Sequence, residues 1–205
     1  MFQKQMEALH AINKAVNNYQ DDKFAGLLVI PTGGGKTLTA VHWVLKNIIN
    51  NNKSVLWIAH RYDLLDQALR TVKSNSYANL ITKRECFNYR VISGQHCKPT
   101  EIRGDDDFII ASKDSLRKKD HLISMWLKSN KEVFLVIDET HRATAKSYRN
   151  IINLLGKEVD KLGILGSTAT PFRTKVEEKG LLKKGFPNDI IYNINLRTLI
   201  REVYC

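Results

Sequence analysis

Lys36 and Thr37 close a glycine-rich run, Pro31-Thr32-Gly33-Gly34-Gly35-Lys36-Thr37. Successive glycines let backbone N–H groups close around phosphate oxygens. An ammonium and a hydroxyl at the next two positions add what a nucleoside triphosphate needs. Lys36 can reach the β- and γ-phosphates, and the Thr37 hydroxyl can ligate Mg²⁺. A second reactive pair, Asp138 and Glu139, ends the apolar run Val133-Phe134-Leu135-Val136-Ile137. Asp138 at a strand tip could hold the metal, directly or through water. Glu139 could orient and deprotonate an attacking water. The plainer reading of this pair is an acidic cap on the next helix. A phosphate loop upstream in the same chain argues for the metal and base roles.

Both sets of groups need elements that hold them at one edge. Gly26-Leu27-Leu28-Val29-Ile30 reads as a buried strand entering the loop. Leu38 to Leu45 carries apolar residues at helical spacing, so a helix leaves it. The helix N-terminus adds its positive dipole end to the phosphate site. Ile30 stands where the full phosphate-loop pattern has its first glycine.

The same alternation continues along the chain. Apolar strands are expected at Leu27–Ile30, Val55–Ala59, Tyr89–Ile92, Phe108–Ala111, Val133–Ile137, Leu162–Leu165 and Ile190–Ile194. Helices are expected at Phe2–Asn17, Arg61–Ser74 and Lys146–Leu155. Continuous apolar strands between helices argue for an α/β fold, a mostly parallel sheet with helices on both faces. Ligands of such sheets bind beyond the carboxyl ends of the strands. Lys36, Asp138 and Thr168 would gather there. Glu85–Asp107 is polar and irregular and reads as a surface excursion around a short strand. Trp57, flanked by apolar residues, reads as core.

Composition narrows the class. The 205 residues suffice for one domain, and 43% hydrophobic content excludes a disordered chain. No apolar run is long enough to cross a bilayer, and no signal peptide is seen. A cytoplasmic setting without membrane contact is expected. Cys86, Cys97 and Cys205 form no metal-binding pair and read as free thiols of a reducing compartment. A net charge of +11 suits a polyanionic partner; the plainer reading is a lysine-rich surface that serves solubility.

The order of motifs resembles the first RecA-like lobe of a superfamily-2 helicase. Pro31–Thr37 resembles motif I, Trp57–Ala68 motif Ia, Ile109–Leu116 the motif Ib region, and Leu165–Arg173 motif III. Asp138-Glu139-Thr140-His141 is similar to a DExH-type motif II. Thr168-Ala169-Thr170-Pro171 with Arg173, and the tail from Ile190, look like the branch of type III restriction subunits and related DNA translocases.

This resemblance implies one RecA-like P-loop NTPase domain over residues 1–205 that uses ATP and Mg²⁺ to drive movement on nucleic acid. Lys36, Asp138 and Glu139 would be catalytic. Thr32, Gly33, Gly34, Gly35, Lys36 and Thr37 would hold the nucleotide, with Thr37 and Asp138 on the metal. Gln5, in Gln5-Met6-Glu7-Ala8, is similar to the branch's adenine-recognition glutamine; an exposed helix glutamine is the even alternative. His60 and Arg61, and Ser112 and Lys113, would touch phosphates of the strand, DNA being favoured over RNA. His141, Thr168 and Thr170 would couple the two sites, or Thr168 and Thr170 would merely brace a turn before Pro171. The family also implies a second RecA-like lobe, absent from this chain, carrying an arginine finger worth on the order of 10³–10⁵ in rate. The alternative class is a nucleotide-regulated binding module without productive hydrolysis.

Overall fold

A computed structural model of the chain describes residues 3–18, 23–77, 80–140, 146–169 and 190–194. The chain enters through helix α1 (Gln3–Asn17) and strand β1 (Lys23–Val29), which leads into helix α2 (Lys36–Asn47). Strand β2 (Ser54–Ala59) feeds helix α3 (Tyr62–Asn75), and strands β3 (Tyr89–Ile92) and β4 (Phe108–Ser112) follow. Two short helices, α4 (Lys113–Leu116) and α5 (Asp120–Leu127), lead to β5 (Glu132–Asp138). Helix α6 (Lys146–Glu158), β6 (Lys161–Thr168) and β7 (Ile190–Asn193) complete the described elements.

The seven strands form one sheet in the order β3-β4-β2-β5-β6-β1-β7, and every pairing is parallel. Parallel neighbours need crossover connections, and the helices supply them. They cover both faces. Ala8, Leu9 and Ile12 of α1, Val41, Val44 and Leu45 of α2, and Leu65, Ala68 and Val72 of α3 pack with one face of the sheet. Ile123, Trp126 and Leu127 of α5, and Tyr148, Ile151 and Leu155 of α6, pack with the other. Strands covered twice need apolar side chains on both sides. That is why β2 reads Val55-Leu56-Trp57-Ile58 without alternation, every residue buried. Trp57 is core, its ring 6.5 Å from that of Phe108.

Two strands differ from the expected bounds by more than one residue at an end, and the reasons are physical. β6 runs on to Thr168 because β5 and β1 pair with it on both sides, through Asp138↔Ser167 and Val29↔Thr168. Thr168 is therefore the last strand residue and does not follow the strand. β1 starts earlier, at Lys23, and Ile30 lies beyond it, although Ile30 N still donates to Thr168 O at 3.1 Å.

The expected excursion at Glu85–Asp107 is tied down by charge. Arg90 donates to Asp106 at 2.6 and 2.9 Å, and Arg84 Nη2 to Asp107 at 2.9 Å. Asp106 is buried, and its hydrogen bonds push the Arg90 guanidinium further up from its ordinary value. Cys86 and Cys97 are free thiols. Among the described residues no helix is long and apolar enough to cross a membrane.

Candidate functional site

The turn after β1 carries two backbone conformations that only glycine adopts freely. Gly33 and Gly35 both sit at φ +83°. A Cβ on Gly33 would meet nothing within 4 Å, so the loop faces open space there. Gly34 N donates to Pro31 O at 3.0 Å and folds the loop back on itself. Gly35 is the N-cap of α2 and offers no side-chain cap, so the first amides of the helix point into the loop. The helix dipole adds positive potential at the same place. Ile30, in place of the usual first glycine, is 2% exposed; it packs in the core, and its φ is not positive.

The acids stand two strands away. Between β1 and β5 lies only β6, so the loop and the acids share one edge. Asp138 is 2% exposed. Its Oδ1 accepts from the Ser167 hydroxyl at 2.8 Å and from Glu139 N at 3.0 Å. Burial pushes its carboxyl above the ordinary aspartate value, against the lowering effect of the Ser167 hydrogen bond. Glu139 turns the chain at φ 54°, a conformation unusual for a residue with a side chain. That turn brings Glu139 Oε1 to 3.6 Å from Lys36 Nζ.

Ser167 and Thr140 are the members that sequence reasoning missed. Thr140 is fully buried, and its hydroxyl lies 3.0 Å from both Ile137 O and Ser167 O. The two residues clasp β5 to β6 in both directions at the level of the acids. The sequence shows a hydroxyl residue near the end of each run, but their partnership depends on β5 and β6 lying side by side.

Other expected members are placed as follows. Gln5 is 5% exposed, which removes the reading of an exposed helix glutamine. Its amide lies against the phosphate loop, where a Cβ on Gly35 would collide with Nε2. Thr37 is buried beside Lys36 at the start of α2, and Thr32 is exposed on the loop. Thr168 is fully buried at the end of β6. His141 and Thr170 lie outside the described residues.

On the other half of the edge, His60 and Arg61 follow β2, and Lys113 follows β4. Arg61 keeps its side chain 65% exposed, with Asp63 as a surface partner at 2.9 Å. Ser112 is buried and acts as the N-cap of α4, accepting from Ser115 N at 3.1 Å and donating to Ser115 Oγ at 2.8 Å. Its hydroxyl is turned inward, and Lys113, partly exposed, is the cation of that turn.

The arrangement can bind a triphosphate, hold a hard cation and activate water. Thr37 and Asp138 are oxygen donors, which suits Mg²⁺. Asp138 is a buried carboxylate without an ion pair among the described residues, and burying such a charge is costly unless a cation meets it. The residues present fit the ion.

Comparison with known proteins points the same way. Residues 1–173 match the family described as Type III restriction enzyme, res subunit. A Schizosaccharomyces pombe protein named "Putative mitochondrial ATP-dependent helicase irc3" is 28% identical over 197 residues, spanning 93% of this chain and 29% of that relative. A nuclease-deletion mutant of the Type ISP restriction-modification enzyme LlaGI, solved with a DNA substrate mimic, superposes with a TM-score of 0.68. It is 13% identical, over 100% of this chain and 21% of its own. The UvsW helicase of bacteriophage T4 gives a TM-score of 0.62 at 17% identity, over 94% of this chain and 60% of its own. These two structures share the fold.

Proposed function

This chain belongs to the type III restriction enzyme res-subunit family and has the RecA-like helicase fold, and from that membership we propose that it is the ATP-binding lobe of a nucleic-acid-dependent ATPase that moves on DNA. The observation that carries the proposal is the meeting of Lys36 and Glu139 at 3.6 Å across β6, beside the buried Asp138. A phosphate-loop cation and a strand-end carboxylate from separate motifs converge on one spot. That spot is where a terminal phosphate and its attacking water would sit.

The roles follow from placement. Backbone amides of the loop, apart from Gly34 N, which Pro31 O takes, and those of the α2 terminus would surround the phosphates. Lys36 offers positive charge to the terminal phosphate oxygens as negative charge builds there. The Thr37 hydroxyl and the Asp138 carboxylate would hold Mg²⁺, which would supply positive charge against the phosphates. Glu139 accepts the proton of the water that attacks in line. Gln5, pressed against the loop, is the proposed contact for the base edge. Arg61 and Lys113, on the β2 and β4 half of the edge, take the phosphates of the strand. Lys36, Thr37, Asp138 and Glu139 are all intact, which favours hydrolysis over a binding module that merely responds to nucleotide.

The chain spans 29% of the length of the S. pombe relative. Residues 1–205 are proposed as one lobe, completed by a second RecA-like lobe that supplies an arginine. DNA is proposed over RNA, supported by the restriction-subunit family and by the DNA mimic bound to LlaGI. The cytoplasm is the proposed setting.

The test is Lys36→Ala in the full-length protein. Calorimetry should show ATP affinity greatly weakened, and ATPase stimulated by single-stranded DNA should be lost. Unchanged ATP binding would remove the phosphate-loop assignment.

A further inference from the structure

The carboxyl edge of the sheet carries a feature that phosphate contact does not use. Tyr62, the first residue of α3, keeps 45% of its surface exposed although it stands directly after Arg61 on the β2 half of the edge. Its hydroxyl end reaches across to the turn that follows β3. A Cβ on Gly94 would lie 2.9 Å from the Tyr62 hydroxyl oxygen. Gly94 does not have positive φ; among the described residues, the glycines that do are Gly33 and Gly35. The backbone at residue 94 therefore does not require glycine, and the space beside it is taken by the tyrosine.

The turn that backs the ring is held rigidly. Gln95 N donates to Ser93 Oγ at 3.2 Å, and Ser93 Oγ lies 2.6 Å from His96 Nδ1. His96 Nε2 lies 3.2 Å from Asp66 Oδ1, one turn along α3 from Tyr62. Cys97 N donates to Val91 O at 3.0 Å and returns the turn to the edge of the sheet. The His96 ring thus bridges the Ser93 hydroxyl on the turn and the Asp66 carboxylate on α3. These contacts tie the turn to α3, and the hydroxyl end of Tyr62 rests against the turn at Gly94.

The sheet order sets the neighbours. β2, β4 and β3 are adjacent, so Arg61 and Tyr62, then Lys113, then Ser93 to His96 follow one another along the edge. An exposed aromatic interleaved with cations, on a chain of net charge +11, is the combination that binds unpaired strands. Cations hold the backbone, and the aromatic takes the face of a base. A base inside a duplex has both faces stacked and cannot use it.

We propose that Tyr62, backed by the turn that the Ser93–His96–Asp66 contacts tie to α3, is a stacking platform for an unpaired base of the strand that lies on this face. The inference rests on the nucleic-acid reading of the same edge and adds to it a contact with the base. His60 and Arg61 at this turn serve the backbone, and Tyr62 reads that a base is free, without reading which base it is.

The experiment measures binding of the full-length protein to three probes by fluorescence anisotropy: a single strand with bases, an abasic strand of equal length, and a duplex. Tyr62→Ala should weaken the base-bearing strand by roughly 5- to 100-fold, the range of one stacked base. It should leave the abasic strand and the duplex unchanged. Tyr62→Trp should keep or tighten the base-bearing strand. Equal weakening of the abasic strand would show a backbone or structural role and overturn the platform. So would no change on the base-bearing strand. Both of those results leave the nucleic-acid reading standing. No binding of any probe by the wild type would overturn that reading together with the platform.

Discussion

Thr140→Val removes one hydroxyl and keeps the branched shape of the side chain. In the native turn that hydroxyl serves Ile137 O and Ser167 O, each at 3.0 Å, in a position sealed from water. Losing a buried donor and leaving its acceptors short costs about 1–3 kcal/mol. A domain of this size loses about 2–4 °C in Tm per kcal/mol, so the variant should melt roughly 2–12 °C early. The effect on turnover has a separate origin. Glu139, the preceding residue, sits at φ 54°. The left-handed region costs an L-residue about 1–2 kcal/mol and persists only where neighbours impose it. Released from the clasp, Glu139 relaxes and its carboxylate leaves its place 3.6 Å from Lys36. A displacement of ~1 Å at a reacting group costs on the order of 10²-fold. The expected outcome is a kcat for ATP reduced by roughly that factor, with KM nearly unchanged because the phosphate loop is intact. Thr140→Ser keeps the hydroxyl and should restore kcat. A coupled-enzyme ATPase assay and a thermal melt read both quantities on the full-length protein. A Thr140→Val protein that melts early yet turns over at the wild-type rate would refute the positioning argument, as would failure of serine to rescue.

Asp138→Asn should raise the Tm of the nucleotide-free protein at pH 7. Burial lifts the Asp138 carboxyl, so stability falls as pH rises from the ordinary aspartate range through the raised value. Asparagine removes that loss, so its advantage should vanish in acid below the ordinary range; an advantage independent of pH would contradict the assigned cause. Gly33→Ala and Gly35→Ala carry the same left-handed penalty at φ +83°, about 1–2 kcal/mol each. Only at Gly35 does the new methyl strike Gln5, so ATP affinity measured by calorimetry should fall further in Gly35→Ala; equal losses would remove Gln5 from the nucleotide site.

What could be read from the sequence was what lies in one continuous run. The glycine loop, the acids after an apolar strand and the α/β alternation are local patterns, and each is found in the fold. Ser167 and Thr140 escaped because their partners lie on a neighbouring strand, and no spacing along the chain encodes that β5 and β6 are adjacent. Gln5 stayed even between two readings because helical period alone does not say which surface meets Gly35. Ser112 looked like an outward hydroxyl at a strand end. It turned inward because Ser115 N, three residues on, needs a cap. The stretch Glu85–Asp107 looked irregular because ion pairs, rather than apolar periodicity, hold it to the sheet.

The most direct measurement of the central claim is Glu139→Gln in the full-length protein, with ATP affinity by calorimetry and single-strand-stimulated ATPase on the same sample. Glutamine keeps the size and hydrogen bonding of the side chain and removes the proton acceptor. The account requires ATP binding close to wild type together with turnover lower by about 10²–10⁴-fold, the usual worth of a general base. Turnover near the wild-type rate would show that Glu139 is not the base and that the convergence of Lys36 and Glu139 across β6 is not a hydrolytic site.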